Sequence, residues 1–349
     1  MAIDPVIGGP AGDLSTDLAA APAEGDLPPG LGPYQLAWRR LRRNRVALSF
    51  GALFLVIVIA CLLAPVYADD VAHTTLSANH ITEKIKVDGK SREVVSLVGI
   101  PIGPTWHSRF FLGADRDGRD VAVRLFYGGR NSLEIGALSM LITVALGVLL
   151  GIIAGYFRGP LDGVLSRAFD VIWAYPPVLL GVALGAVLNI SGITVGPIAL
   201  HAGSLVIPIM IVGIVYVPYV AKPIRGQVLG LREREFVDAA RQQGLSHLRI
   251  MFGEILPNVA STIIVFVPLI MANAILLEAA LSYLGAGVQP PNPSWGTMIS
   301  EGIREIPAAI HLTLVPGIML VLAVLGINVF GDGVRDALDP RARVRIGRR

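Results

Sequence analysis

Long apolar runs separated by short charged segments dominate the chain. The clearest covers 171–221, 51 residues without an Asp, Glu, Lys or Arg. One bilayer crossing takes about 20 apolar residues, so this run holds two crossings and a turn. The whole pattern predicts six spans, over about 46–68, 132–156, 171–188, 203–221, 260–283 and 309–330. All are predicted to be helices, because within lipid a backbone satisfies its polar groups only in a helix or a closed barrel. The chain reads as an all-α polytopic membrane protein.

Between the fourth and fifth spans the pattern changes. The stretch EFVDAARQQGLSHLRIMFGEILPN begins at Glu235. Phe236, Ala239 and Ala240 fall at i, i+3, i+4, with Glu233, Asp238, Arg241 and Gln242 at polar positions. Gly244 is placed to break this helix as a left-handed C-terminal cap, and Ser246 to cap the next. Leu248, Met251, Phe252, Ile255 and Leu256 then form an apolar stripe, which Pro257 is predicted to end. A helix–turn–helix over about 228–257 follows. Its one-sided stripe needs a partner surface, either the membrane bundle or another protein.

The flanks are distinct. Residues 1–33 are rich in Ala, Gly, Pro and Asp without an apolar core, which predicts a disordered tail and no cleavable signal. In 34–68, YQLAWRRLRRNR precedes the first span. Tyr34, Trp38 and Leu41 recur at helical spacing among Arg39, Arg40, Arg42, Arg43 and Arg45. That suits a helix lying in the lipid headgroups, or simply a basic flank. Residues 69–131 form the longest polar loop, and IKVDGKSREVV within it carries a hairpin signal at its DG pair. A small extracytoplasmic loop subdomain is expected there. Residues 132–334 hold the remaining spans, and 335–349 form a basic tail.

Composition agrees with this class. Hydrophobic residues make up 53%, and only 16% are charged, against about 25% in soluble domains. The placement of Lys and Arg sets orientation. Five precede the first span, two follow the second, six lie between the fourth and fifth, and six follow the last. The short loops on the other side hold none and one (Arg304). Both termini and the hairpin are therefore expected in the cytoplasm, with 69–131 outside. A single cysteine, Cys61, excludes an internal disulfide and a cysteine-cluster metal site.

Candidate chemistry is sparse. DRDGRD at 115–120 fails as a calcium loop, because its sixth and twelfth positions are Asp120 and Phe126. Asp115, Asp117 and Asp120 alternate with Arg116 and Arg119, which predicts a charge-paired loop shaping an outer vestibule. GKS at 89–91 lacks the glycine of a phosphate loop, since Lys84 stands there. Six scattered histidines offer no metal site, and no nucleophile–His–acid set marks an enzyme. Glu278, near the outer end of span five, is either a pathway group or a packing contact. Pro176, Pro177, Pro208, Pro218, Pro268 and Pro316 are placed to kink spans, and Gly181, Gly185, Gly213 and Gly317 to let them pack closely.

The run Asp238-Ala239-Ala240, then Gly244, then Ile255-Leu256-Pro257, resembles the cytoplasmic EAA loop of ABC importer permeases. Asp238 replaces the usual Glu and keeps its charge. EAALSYLGAG at Glu278 also begins with EAA, but it falls on the outer side. RFFLGADRDGRDVAVRLFYGGRNSL (109–133), EAALSYLGAGVQPPNPSWGTMISEG (278–302) and NVFGDGVRDALDPR (328–341) are similar to segments of the dipeptide/oligopeptide branch. The resemblance implies the type I ABC importer permease fold in a prokaryotic cytoplasmic membrane. It implies a sibling permease, two ABC ATPases that hold the ATP and Mg, and an extracytoplasmic solute-binding protein. This chain would bind no cofactor and no nucleic acid. The implied cargo is di- or oligopeptides moved by alternating access, with nickel chelates or glutathione as alternatives. A membrane scaffold is the remote alternative. The implied ATPase-coupling residues are Phe236, Asp238, Ala239, Ala240, Arg241, Gly244, Leu248 and Pro257.

Overall fold

The computed structural model describes residues 32–87, 89–195, 198–200 and 203–338. The expected tail over 1–33 and basic tail over 335–349 lie almost wholly outside them. Helix α1 (Pro33–Leu41) precedes α2 (Arg45–Leu62). Asn44 caps α2, its Oδ1 accepting the Ala47 N–H at 3.0 Å. Of the expected Trp38–Leu41 face, only Leu41 turns inward. With Ala37 and Ala47 it packs on Ala337 near the far end of the chain, while Trp38 is exposed. Short α3 (Ala64–Val66) and a π turn (Tyr67–Val71) lead outward.

The outer loop folds as the DG pair predicts. Strands β1 (Lys84–Val87) and β2 (Lys90–Glu93) pair antiparallel, with Val87 opposite Lys90. Beyond them Val94, Val95, Phe110 and Ala114 form a small core. Arg109 clamps the subdomain by donating to Glu83 Oε2 at 2.8 Å. That hydrogen bond holds the Glu83 carboxyl below the usual carboxylate range.

Helix α4 (Val121–Phe157) runs 37 residues, about 55 Å at 1.5 Å per residue. The second span was expected from residue 132, so the helix begins about three turns early. Asp120 explains the start: its Oδ1 accepts the N–H groups of Ala122 (2.9 Å) and Val123 (3.2 Å), as an N-cap does. The third span, expected over 171–188 with a kink at Pro176–Pro177, is fully broken. Helices α5 (Gly159–Trp173) and α6 (Pro177–Ser191) meet at 88°. Pro176–Pro177 causes the break, because Pro177 forces Pro176 out of the helical region, to ψ 131°. A short hairpin of β3 (Ile193–Val195) and β4 (Ile198–Leu200) follows, unannounced inside an apolar run.

Helices α7 (Val206–Val215) and α8 (Val217–Leu231) form one crossing. It continues well past the expected end at residue 221. Next come α9 (Glu235–Gln242), α10 (His247–Arg249), a π turn (Ile250–Ile255) and α11 (Leu256–Tyr283). Pro257 was expected to end a helix, and it does not. It sits in the first turn of α11, where its missing N–H costs nothing, and the wide π turn before it gives the ring room. The second arm of the hairpin is thus the near end of span five, continuous over His247–Tyr283. Helices α12 (Trp295–Gly302), α13 (Ile306–Ala309) and α14 (His311–Leu338) complete the chain. Among the described residues five helices are long and apolar enough to cross a membrane, and the bent α5–α6 pair makes a sixth.

Helix α4 is the centre of the bundle, and one stripe of it explains why. Ser139 donates to the Ile209 carbonyl (3.0 Å) and Thr143 to the Gly213 carbonyl (2.7 Å). Every fourth residue onward is glycine. A Cβ at Gly147 would stand 2.6 Å from Val220 Cβ, one at Gly151 2.7 Å from the Ala221 carbonyl oxygen, and one at Gly155 2.7 Å from Val228 Cβ. Of the glycines expected to permit packing, Gly181, Gly185 and Gly213 meet neighbours this way, whereas Gly317 faces open space.

Gly151→Val should lower the stability of the detergent-solubilised protein by about 1–3 kcal/mol, as overpacking does. Gly226→Ala, on the open side of α8, should lose nothing and gain slightly from helix propensity. Thermal unfolding compares the two, and equal melting would refute the close-approach account.

Candidate functional site

One candidate is built on α9. Gly244 has φ +75°, the left-handed cap its position predicts. Ser246 then caps α10, accepting from the Arg249 N–H. The helix seats itself through Val237 and Ala240, which join Val228, Ile250, Met251 and Ile255 in a buried cluster. Phe236 and Leu248 were expected on the apolar faces of the hairpin. Both are turned outward, Leu248 to 65% exposure, and Val237 does the bracing instead. On α9 it is Val237 and Ala240, at i and i+3, that share the buried face; in the second arm the π turn's extra residue shifts the register of the stripe, so Ile250, Met251 and Ile255 bury while Leu248 and Phe252 face out. Asp238, Ala239 and Arg241 also face out, and Arg241 pairs with Asp238 at 3.1 Å. The exposed side of the hairpin therefore offers three large apolar side chains beside one ion pair. The i, i+3 spacing of Val237 and Ala240 was the available signal for the buried side.

Sequence reasoning missed the attachment of this hairpin to the bundle. Tyr156, in the last turn of α4, is buried. Its hydroxyl lies 2.8 Å from His247 Nδ1. Its ring lies under the Arg241 guanidinium at 5.7 Å, and its carbonyl accepts from Arg232. An aromatic residue at a span end ordinarily reads as an interfacial anchor, which hides this role.

The second candidate lies at the other end of α4. Asp115 pairs with Arg119 (2.7 Å) and with Arg124. Arg124 also holds Glu301 of α12 at 2.8 Å, and Arg119 holds Asp117 at 2.7 Å. Arg116 reaches Glu305 at 3.3 Å. These groups line a cavity of about 500 Å³ together with Pro290, Pro291 and Arg304. The loop is charge-paired as expected, but Asp120 is not among the lining residues. It caps α4 and accepts the Phe110 N–H at 2.7 Å. Arg124 was missed because one partner, Glu301, lies 177 residues away in sequence. Glu278 is fully buried in α11, its Oε1 accepting from the Ser282 hydroxyl at 2.6 Å.

Five apolar helices with a bent α5–α6 pair that can make a sixth crossing, a polar hairpin with exposed apolar side chains at one end of α4, and a charged cavity at the other are the features of a membrane transport permease. The chain belongs to the family of binding-protein-dependent transport system inner membrane components, which it matches over residues 147–344. Residues 32–80 match the N-terminal TM domain of oligopeptide transport permease C. It is 34% identical to the dipeptide transport system permease protein DppC of Alkalihalophilus pseudofirmus, over 95% of this chain and 97% of that one. It is 32% identical to the glutathione transport system permease protein GsiD of Pectobacterium atrosepticum, over 89% and 92%. Its fold resembles that of a chain of the inward-facing MetNI methionine ABC transporter. The TM-score is 0.50 at 17% identity, over 62% of this chain and 96% of the other. The protein is thus an ABC importer permease of type I fold, a multi-pass membrane subunit rather than an enzyme.

Arg124→Leu would leave Asp115 buried with one partner fewer. It should destabilise the outer end by about 3–5 kcal/mol, as breaking a buried pair does. Glu301→Gln, at a half-exposed partner, should cost about 1 kcal/mol or less. Limited proteolysis of the 69–131 loop reads both, and equal sensitivity of the two variants would count against the buried-pair account.

Proposed function

We propose that this chain forms half of the translocation pore of an ATP-driven importer of di- or oligopeptides. A sibling permease supplies the other half, two ABC ATPases hold ATP and Mg on the cytoplasmic side, and an extracytoplasmic solute-binding protein delivers peptide. The observation that carries the reading is α9. It is a short helix seated on the bundle by Val237 and Ala240, with Phe236 at its surface and Leu248 and Phe252 of the adjoining turn exposed beside it. An amphipathic helix of this kind suits a groove on a partner. The excess of Lys and Arg on its side supports a cytoplasmic position, with both termini on that side. ATP binding closes the ATPases, α9 moves with them, and the bundle reopens outward. Phe236, Asp238, Ala239, Arg241, Gly244 and Leu248 act in docking. Ala240 and Pro257 act in seating the hairpin.

The relatives favour short peptides as cargo. One is a dipeptide permease and another a permease for glutathione, itself a small peptide. Glutathione therefore stands as the second reading.

Gly244→Pro tests the coupling role, because proline cannot adopt φ near +75°. The wild-type chain, isolated from membranes in mild detergent, should bring two ATPases and a second permease. The variant should insert normally, keep the sibling permease and lose the ATPases. A wild-type isolate without any ATPase, under conditions that preserve other membrane complexes, would overturn the importer reading. Dipeptide-stimulated against glutathione-stimulated ATP hydrolysis then separates the two cargoes.

A further inference from the structure

Three pieces of chain converge on one side chain at the inner end of α4. Arg232 ends α8 and donates to the Tyr156 carbonyl. Arg241 belongs to α9 and stacks on the Tyr156 ring at 5.7 Å. His247 opens the long helix of span five and meets the Tyr156 hydroxyl at 2.8 Å. The rings of Tyr156, Phe157 and His247 add mutual edge-on contacts, with centroids 5.1–5.6 Å apart. The helix before the hairpin, the hairpin helix and the helix after it are thus all tied to the last turn of α4.

The routes from α9 into the membrane differ in stiffness. Through α10 the chain meets the π turn at Ile250–Ile255, then Pro257 and Pro268. Back through α8 it meets Arg234 in extended conformation (ψ 148°), then Pro223 and Pro218. Prolines and π turns are the usual sites where helices yield. Helix α4 has neither: its 37 residues are continuous and contain no proline. Its outer end carries Arg124, which holds Asp115 and Glu301.

We propose that Tyr156 is the positioning residue through which movement of the cytoplasmic hairpin enters α4, with His247 and Arg241 as its two grips. This rests on the coupling role proposed above and names the contact that carries it. A push on α9 reaches Tyr156 through Arg241, and rotation of the α10 end reaches it through His247. Helix α4 passes the displacement to the outer charged cavity. The hydroxyl and the ring then have separable duties, the first toward His247 and the second toward Arg241.

The test uses the whole transporter in proteoliposomes, with its ATPases, sibling permease and binding protein. The readout is peptide imported per ATP hydrolysed, a ratio insensitive to the amount of complex assembled. Tyr156→Phe removes the hydroxyl and keeps the ring, and should lower the ratio about three- to tenfold, the size of one lost hydrogen bond. His247→Ala, at an exposed residue, should lower it by a similar factor. The Tyr156→Phe/His247→Ala pair should add little further, because both changes remove one interaction. Tyr156→Ala should exceed either single change. If Tyr156→Ala fails to assemble, the two milder variants still decide. An unchanged ratio in Tyr156→Phe and His247→Ala, with only the yield of complex reduced, would make the contact structural and overturn the proposal. Wild-type complex without ATP-dependent import would overturn the importer reading instead.

Discussion

The fold depends on how closely α4 can approach α7 and α8. Lipid tails are as apolar as leucine, so helices in a bilayer gain little from hiding apolar surface from each other. What remains is dispersion at short range and hydrogen bonds between helices. The α4 stripe supplies both. Ser139 and Thr143 donate to carbonyls of α7, and Gly147, Gly151 and Gly155 let α8 within backbone distance. The four-residue repeat keeps all five on one face. Every other crossing is then placed relative to this pair: α11 packs Ile275 over Gly136, and α14 carries α2 on its outer side.

The two ends of α4 are polar, and each is anchored by its own chemistry. At the outer end a buried arginine is acceptable only because Asp115 and Glu301 neutralise it. At the inner end the tyrosine is buried but keeps its hydroxyl hydrogen-bonded. Each anchor has a partner far off in sequence, Glu301 for Arg124 and His247 for Tyr156. Each fixes the end of a long helix against segments that arrive much later in the chain, so α4 is held at both ends and along its length.

Local chemistry was legible in the sequence; registration between distant elements was not. Hydropathy marks the spans, the DG pair marks the outer hairpin, and Gly244 and Ser246 mark the turn after α9, because each signal is contained within a few residues. The start of α4 was missed because Arg124 and Arg130 make 121–131 look like loop, and one of the acids that excuse Arg124, Glu301, lies 177 residues away. Pro176–Pro177 announced a kink but not an 88° break. The bend at that site is set by what α6 packs against, such as Leu281 over Gly181 and the Ala286 carbonyl over Gly185. In the candidate site, the outward residues Asp238 and Arg241 were readable from polarity, whereas Phe236 and Ala239, counted with the apolar face, turn out and Val237 takes the buried place. The outward turn of Leu248 was hidden because one π turn, at Ile250–Ile255, defeats a 3.6-residue count. No periodicity reports a π turn.

The distribution of breaks has a mechanical meaning. A transporter that alternates between two openings needs members that bend and at least one that does not. Breaks or prolines occur at the α5–α6 elbow, in α8, before and within α11, and within α14. A helix whose hydrogen-bond ladder is interrupted changes angle at low cost. One with an unbroken ladder moves as a rod. Helix α4, tightly held by its small-residue stripe, cannot easily tilt against α8 without opening that contact. The two therefore move together, and the yielding points lie outside the pair. A displacement applied at Tyr156 is then spent on moving the pair against its neighbours, not on deforming it.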